Sequence, residues 1–194
     1  RGRLSVGTVA IELAQKIFGD LRPYSVLLVG AGEIGELVFK RLADRGVAQR
    51  VLINRSLERA QGLAAIYGGV ADSLDRLPER LVEADIVLAS TSATEPLITR
   101  TALAPIMARR RNRPLCLIDL GVPRNVEPAV GGLENVYLFN VDDLQGLVDH
   151  HHLQRSQAVG ESQAIVAQKL QGYLAWRDRQ RRRDPWSSAL AAAR

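Results

Sequence analysis

Apolar and polar positions change period repeatedly along the 194 residues, and each change marks an element. Between residues 4 and 21 the apolar positions Val6, Val9, Ala10, Leu13, Ala14, Ile17 and Phe18 recur at helical spacing, with Ser5 as N-cap and Gly19 at the stop. From Ser25 onward, short apolar runs alternate with helix-period segments. The pattern predicts strands over 25–29, 50–54, 70–71, 85–90, 115–120 and 136–140, and helices over 33–44, 57–67, 74–83 and 99–111. Strands apolar on both faces, joined by helical crossovers, form a parallel sheet with helices on either side. The predicted fold class is therefore α/β, a doubly wound Rossmann-type domain over residues 1–140 that includes the leading helix.

After Asn140 the texture changes. Val141 to Arg183 contains no proline and three glycines, Gly146, Gly160 and Gly172, while apolar residues such as Leu144, Leu147, Val148, Ile165, Val166 and Leu170 continue at helical spacing. One helix of about 40 residues would be about 60 Å long, more than the preceding domain could cover. It either folds back as a hairpin at Gly160 or forms a spine that pairs with another subunit. Its length favours the spine, which makes residues 141–194 part of a dimerisation domain.

Composition narrows the class without naming it. With 46% hydrophobic and 24% charged residues the chain is ordinarily globular, and no apolar run approaches the roughly 20 residues of a membrane span. It begins Arg1-Gly2-Arg3 with neither an initiator methionine nor a signal peptide, which reads as a piece of a larger protein. The single cysteine, Cys116, rules out an intrachain disulfide or a multi-cysteine zinc site and suits a reducing cytoplasm. The net charge of +5 is local: residues 109–113 and 177–183 carry +4 each, leaving −3 elsewhere. These arginine runs read as solvated faces, with RNA contact as the sharper alternative. His150, His151 and His152 are consecutive and cannot share a metal on a helix, so no metal site is expected. Cys116 sits in a strand apolar on both faces and reads as an inert core thiol.

The chemistry is carried by Gly30-Ala31-Gly32-Glu33-Ile34-Gly35, which follows the first strand and opens the next helix. In that context G-x-G-x-x-G is a dinucleotide fingerprint: the first glycine makes the tight turn, the second lets backbone approach a pyrophosphate, and the third lets helix pack on strand. The second strand ends Ile53-Asn54-Arg55-Ser56, without the carboxylate that binds the ribose 2′-hydroxyl of NAD. Arg55 can pair with a 2′-phosphate, Asn54 and Ser56 can hydrogen-bond it, and Arg59 lies one turn on, so the expected cofactor is NADPH. Thr91, Ser92 and Ala93, after the fourth strand, and Gly121, after the fifth, are expected on the nicotinamide side. For each of these, ordinary turn chemistry is the alternative.

These residues resemble glutamyl-tRNA reductase. The resemblance covers nearly residues 4–176. It includes Val9-Ala10-Ile11-Glu12-Leu13-Ala14, the glycine turn with Glu36-Leu37, Asn54 to Ala60, Arg111 to Pro114, Asp119-Leu120-Gly121-Val122-Pro123-Arg124-Asn125-Val126-Glu127-Pro128, and Asn135 to Leu138 leading to Val141-Asp142-Asp143-Leu144. It implies a V-shaped homodimer with an N-terminal catalytic domain, a central NADPH domain and a spine helix. In that family a cysteine of the N-terminal domain attacks the ester of glutamyl-tRNA, and the resulting thioester is reduced with hydride from NADPH to glutamate-1-semialdehyde for tetrapyrrole synthesis. The semialdehyde is thought to pass to an aminomutase. That cysteine has no counterpart here, so the implied role is cofactor binding without turnover and without a catalytic residue. Gly121 and Asn125 depart from the pattern, which favours alanine and aspartate. Two other readings stand beside it: a shikimate-dehydrogenase-like NADP oxidoreductase, which also places Asn-Arg after the second strand, and a non-catalytic NADP-sensing dimerisation module.

Overall fold

The structure, a computed structural model, describes residues 6–111, 113–144, 171, 172 and 175. In chain order the elements are α1 (Val6–Phe18), β1 (Val26–Val29), α2 (Glu33–Asp44), β2 (Arg50–Asn54), α3 (Leu57–Tyr67), β3 (Val70–Ser73), α4 (Leu77–Glu83), β4 (Ile86–Ala89), α5 (Arg100–Arg109), β5 (Leu115–Asp119) and β6 (Val136–Asn140). The six strands form one sheet in the order β3-β2-β1-β4-β5-β6, and every pair is parallel. This is the doubly wound α/β fold that the sequence predicts. Strand order reverses between β1 and β4, which opens a crevice at the carboxyl edge.

Side-chain alternation explains why the central strands β1 and β4 lack polar positions. Val26 and Leu28 of β1 join one core with residues of α1, α2 and α3, whereas Leu27 and Val29 join the other with α4 and α5. Both faces are dry, so both registers must be apolar. Helix α1 belongs to the first core: Val9, Ala10, Ile11, Leu13, Ala14, Ile17 and Phe18 are buried. It approaches α2 so closely at Gly7 that a Cβ there would lie 2.9 Å from Val38 Cγ2. Gly19, at φ +73°, ends it by donating its N–H to the Gln15 carbonyl at 2.7 Å.

Two expectations change in detail. The segment 74–83 splits into a 3₁₀ turn, Leu74–Arg76, before α4, with Pro78 near the start of the helix. The arginine run at 109–113 is not a wholly solvated face, because Arg110 is 5% exposed. Its guanidinium donates to the carbonyls of Leu81, Val82, Ala84 and Pro114 at 2.5–2.9 Å, closing the C-terminal end of α4. Arg113 adds bonds to Val82 and Glu83. Burial pulls the Arg110 guanidinium down to about 10, with repulsion from Arg113 adding to the effect. Two of the four arginines thus serve the fold, which leaves little of the run for RNA.

Asn140 accepts from the N–H groups of Asp142 and Asp143 and starts a further helical turn at residues 141–144. Gly172 stands beside Tyr137 of β6, where a Cβ would lie 3.8 Å from its Cε1. Most of the expected spine helix, the histidine triplet and the second arginine run fall outside the described residues. No helix among the described residues is long and apolar enough to cross a membrane.

Candidate functional site

A cleft of about 440 Å³ opens at the carboxyl edge, at the reversal of strand order. Three chain segments meet there: Gly30, Ala31 and Gly32 after β1; Asn54, Arg55, Ser56 and Arg59 after β2; and Thr91, Ser92 and Ala93 after β4. Ten of the residues singled out in the sequence therefore share one cavity. Glu33, Ile34 and Gly35 do not line it; they form the first turn of α2, whose leading N–H groups have no partner within the helix.

The three fingerprint glycines differ in what they meet. Gly30 has φ +110°, and a Cβ there would lie 2.1 Å from the Ser90 carbonyl oxygen. At Gly35 a Cβ would lie 2.2 Å from the Gly30 oxygen, so the start of α2 is pressed onto the end of β1. Both are required by the protein itself. Gly32 is not: a Cβ would find nothing within 4 Å, and its φ of −75° suits any residue. The space a Cβ would fill lies in the cleft, beside the N-terminal end of α2. A bound pyrophosphate fits that space, taking the free N–H groups and the positive end of the helix dipole.

At the second strand the geometry refines the expected roles. Asn54 Oδ1 accepts from the Ala31 N–H at 3.2 Å, and its Nδ2 donates to the Ser56 carbonyl at 3.1 Å. Its amide thus joins the glycine turn to the exit of β2 rather than projecting whole toward a ligand. Ser56 caps α3, accepting from the Arg59 N–H at 3.3 Å. Arg55 and Arg59 are exposed and line the cleft, and neither guanidinium has a hydrogen bond or ion pair among the described residues. Two unpaired cations in a cleft whose lining holds no carboxylate suit a phosphate better than a ribose hydroxyl.

Gly121 is not brought into this cavity. It lies in a neighbouring cleft of about 380 Å³ with Val122, Pro123, Arg124 and Asp142, and Arg124 and Asp142 form an ion pair at 3.1 Å. The Asn125 amide packs against Gly121. Sequence reasoning also passed over Leu74 and Leu97, which wall the cleft. Leu74 follows β3 at the same carboxyl edge, a signal hidden by reading that strand two residues short. Leu97 lies in a loop without periodicity. Most consequential is Asp119, 1% exposed, whose carboxylate accepts from the N–H groups of Gly121, Asn125 and Val126, each at 2.9 Å. Burial pushes its carboxyl above the usual range, and these bonds pull it back in part. Cys116 is buried, and the described residues hold no group of three or more side chains suited to a metal.

Comparison with known proteins agrees with this geometry. A family model described as Shikimate / quinate 5-dehydrogenase matches residues 12–147. The glutamyl-tRNA reductase of Syntrophotalea carbinolica is 42% identical over 173 residues, 89% of this chain but 39% of that protein. The chain thus spans about two fifths of the length of the curated relatives it matches. The solved glutamyl-tRNA reductase of Methanopyrus kandleri superposes with a TM-score of 0.71 at 33% identity, covering 94% of this chain and 46% of that one. Shikimate 5-dehydrogenase from Listeria monocytogenes, solved with shikimate and NAD, shares the fold at TM-score 0.54 and 16% identity, over 85% of this chain and 63% of that one.

Proposed function

The chain belongs to the Shikimate / quinate 5-dehydrogenase family, and from that premise we propose that it is the NADPH-binding part of a glutamyl-tRNA reductase, which reduces glutamyl-tRNA to glutamate-1-semialdehyde in porphyrin synthesis. The observation that carries the reading is 42% identity to such a reductase over 173 residues, far past a shared fold. The match runs beyond residue 147, where the family model ends. When bound, NADPH supplies hydride. This chain's residues hold it: Gly32 and the first turn of α2 take the pyrophosphate, while Arg55, with Arg59 behind it, takes the 2′-phosphate. Catalysis, in this reading, needs a cysteine domain that these residues do not include. Homodimerisation through the helix after Val141, transfer of the product to an aminomutase and a cytoplasmic setting belong to the same proposal.

Calorimetric titration with NADPH and with NADH tests the cofactor. NADPH should bind more tightly, and Arg55→Ala should weaken it by about tenfold to a hundredfold, the worth of a charge-assisted contact, leaving NADH nearly unchanged. Equal binding of the two cofactors would remove the 2′-phosphate role. The family description itself favours one competing activity, shikimate oxidation. Reduction of NADP by shikimate in the presence of this chain would replace the reductase reading.

A further inference from the structure

The segment Thr91–Leu97 forms one wall of the cleft, yet it contains no helix or strand. Its internal support is a single side-chain bond, from the Ala93 N–H to Thr91 Oγ1 at 3.2 Å. Both of its ends are held by one residue from elsewhere. Asn125 Oδ1 accepts from the Thr91 N–H at 2.7 Å, and Asn125 Nδ2 donates to the Thr91 carbonyl at 3.3 Å, so the amide satisfies Thr91's backbone as a neighbouring strand would. At the other end the Asn125 carbonyl accepts from the N–H groups of Leu97 and Ile98, at 2.8 and 3.1 Å.

Asn125 is itself fixed from behind. It is fully buried, and its backbone N–H donates to the Asp119 carboxylate, anchored at the end of β5. Gly121 completes the arrangement. A Cβ there would lie 2.6 Å from Asn125 Cγ and Oδ1 and 2.7 Å from Nδ2, so this position must lack a side chain for the amide to sit where it does. No left-handed φ accounts for the glycine. Gly121 and Asn125 are therefore in contact, and the small residue makes room for the amide.

With the pyrophosphate at α2 and the adenosine half at the end of β2, the other half of a dinucleotide must run across the reversal point toward β4. That is the side walled by Thr91 to Leu97. We propose that Asn125, carried by Asp119 and accommodated by Gly121, is a positioning residue that sets this wall for the nicotinamide half of NADPH. The inference rests on the NADPH reading of the cleft.

The test titrates the full chain with NADPH and with adenosine 2′,5′-bisphosphate, which carries the adenine and 2′-phosphate but no nicotinamide. Wild type should bind both. Asn125→Ala and Gly121→Ala should each weaken NADPH by about tenfold, as a preorganised wall becomes mobile, and leave the bisphosphate unchanged. Gly121→Ala should cost almost nothing further once Asn125 is alanine, because the atoms it would displace are gone. Asn125→Ser, which keeps a small hydrogen-bonding side chain, should recover part of the NADPH affinity. If both ligands weaken in parallel, or NADPH binding is unchanged in folded variants, Asn125 does not position the nicotinamide half. If wild type binds neither ligand, the cofactor reading itself has failed and this inference with it. Should Asn125→Ala not fold, Gly121→Ala and Asn125→Ser give the same comparison.

Discussion

Three glycines in six positions look equivalent in the sequence and are not equivalent in the fold. Gly30 combines a left-handed φ with a carbonyl 2.1 Å from where a Cβ would be, so Gly30→Ala should cost about 3 kcal/mol or more through strain and overlap together. A Cβ at Gly32 would touch nothing, so Gly32→Ala should change stability by no more than about 0.5 kcal/mol while abolishing NADPH binding. Calorimetric melting and titration of both variants separate the cases. Intact NADPH binding in Gly32→Ala would mean that the pyrophosphate lies elsewhere. The same contrast shows what a motif conveys. Spacing and context located the turn, but only the Ser90 carbonyl above Gly30 and the empty space at Gly32 distinguish a glycine the chain needs from one that suits its ligand. Asn125 was illegible for a related reason: its partner Thr91 lies 34 residues away, and no local period reports such a bond. Asp119 bonds only residues two to seven places on, but those lie in a loop, where neither helical nor strand spacing signals them.

At the scale of elements, the sequence was legible wherever the hydrophobic period is local. Predicted limits for α2, α3, β2 and β6 coincide with those observed. Strand order and the role of α1 were not legible, because both depend on which face each crossover takes. Helices α2 and α3 follow β1 and β2 on one face, while α4, α5 and the 3₁₀ turn Pro128–Gly132 pack on the other. The first face of β4, β5 and β6 is thus left without a crossover helix, although it presents Leu88, Cys116, Ile118 and Phe139. Helix α1, which precedes the sheet in sequence, shares one core with those residues and with α2, and is buried nearly all round. It is part of the domain's core. Ile11→Ala, at a fully buried site, should therefore destabilise the domain by about 2–5 kcal/mol, measured by urea unfolding. A loss near zero would show that α1 detaches without consequence.

At the scale of the molecule, the sheet separates the cofactor edge from the chain's one thiol. Cys116 lies three residues before Asp119 on β5, which places it about 10 Å below the carboxyl edge at the usual strand rise. Its thiol is 1% exposed and shares a core with Ile118 and Phe139. Covalent chemistry on an ester requires a thiolate that can reach the ester, and burial blocks that access. Two outcomes should therefore accompany each other. A thiol reagent such as 5,5′-dithiobis(2-nitrobenzoic acid) should leave the native chain unmodified and titrate one thiol in denaturant. Glutamyl-tRNA added to the chain with NADPH should give no oxidation of the cofactor, even where NADPH binds tightly. Rapid labelling of native Cys116 would overturn the first expectation; cofactor oxidation that survives Cys116→Ala would place the reactive group on another side chain of this chain. Tight NADPH binding without turnover would instead separate the two halves of the proposed reductase reaction: this sheet holds the hydride donor, and the acyl acceptor must be brought to its carboxyl edge from outside these residues.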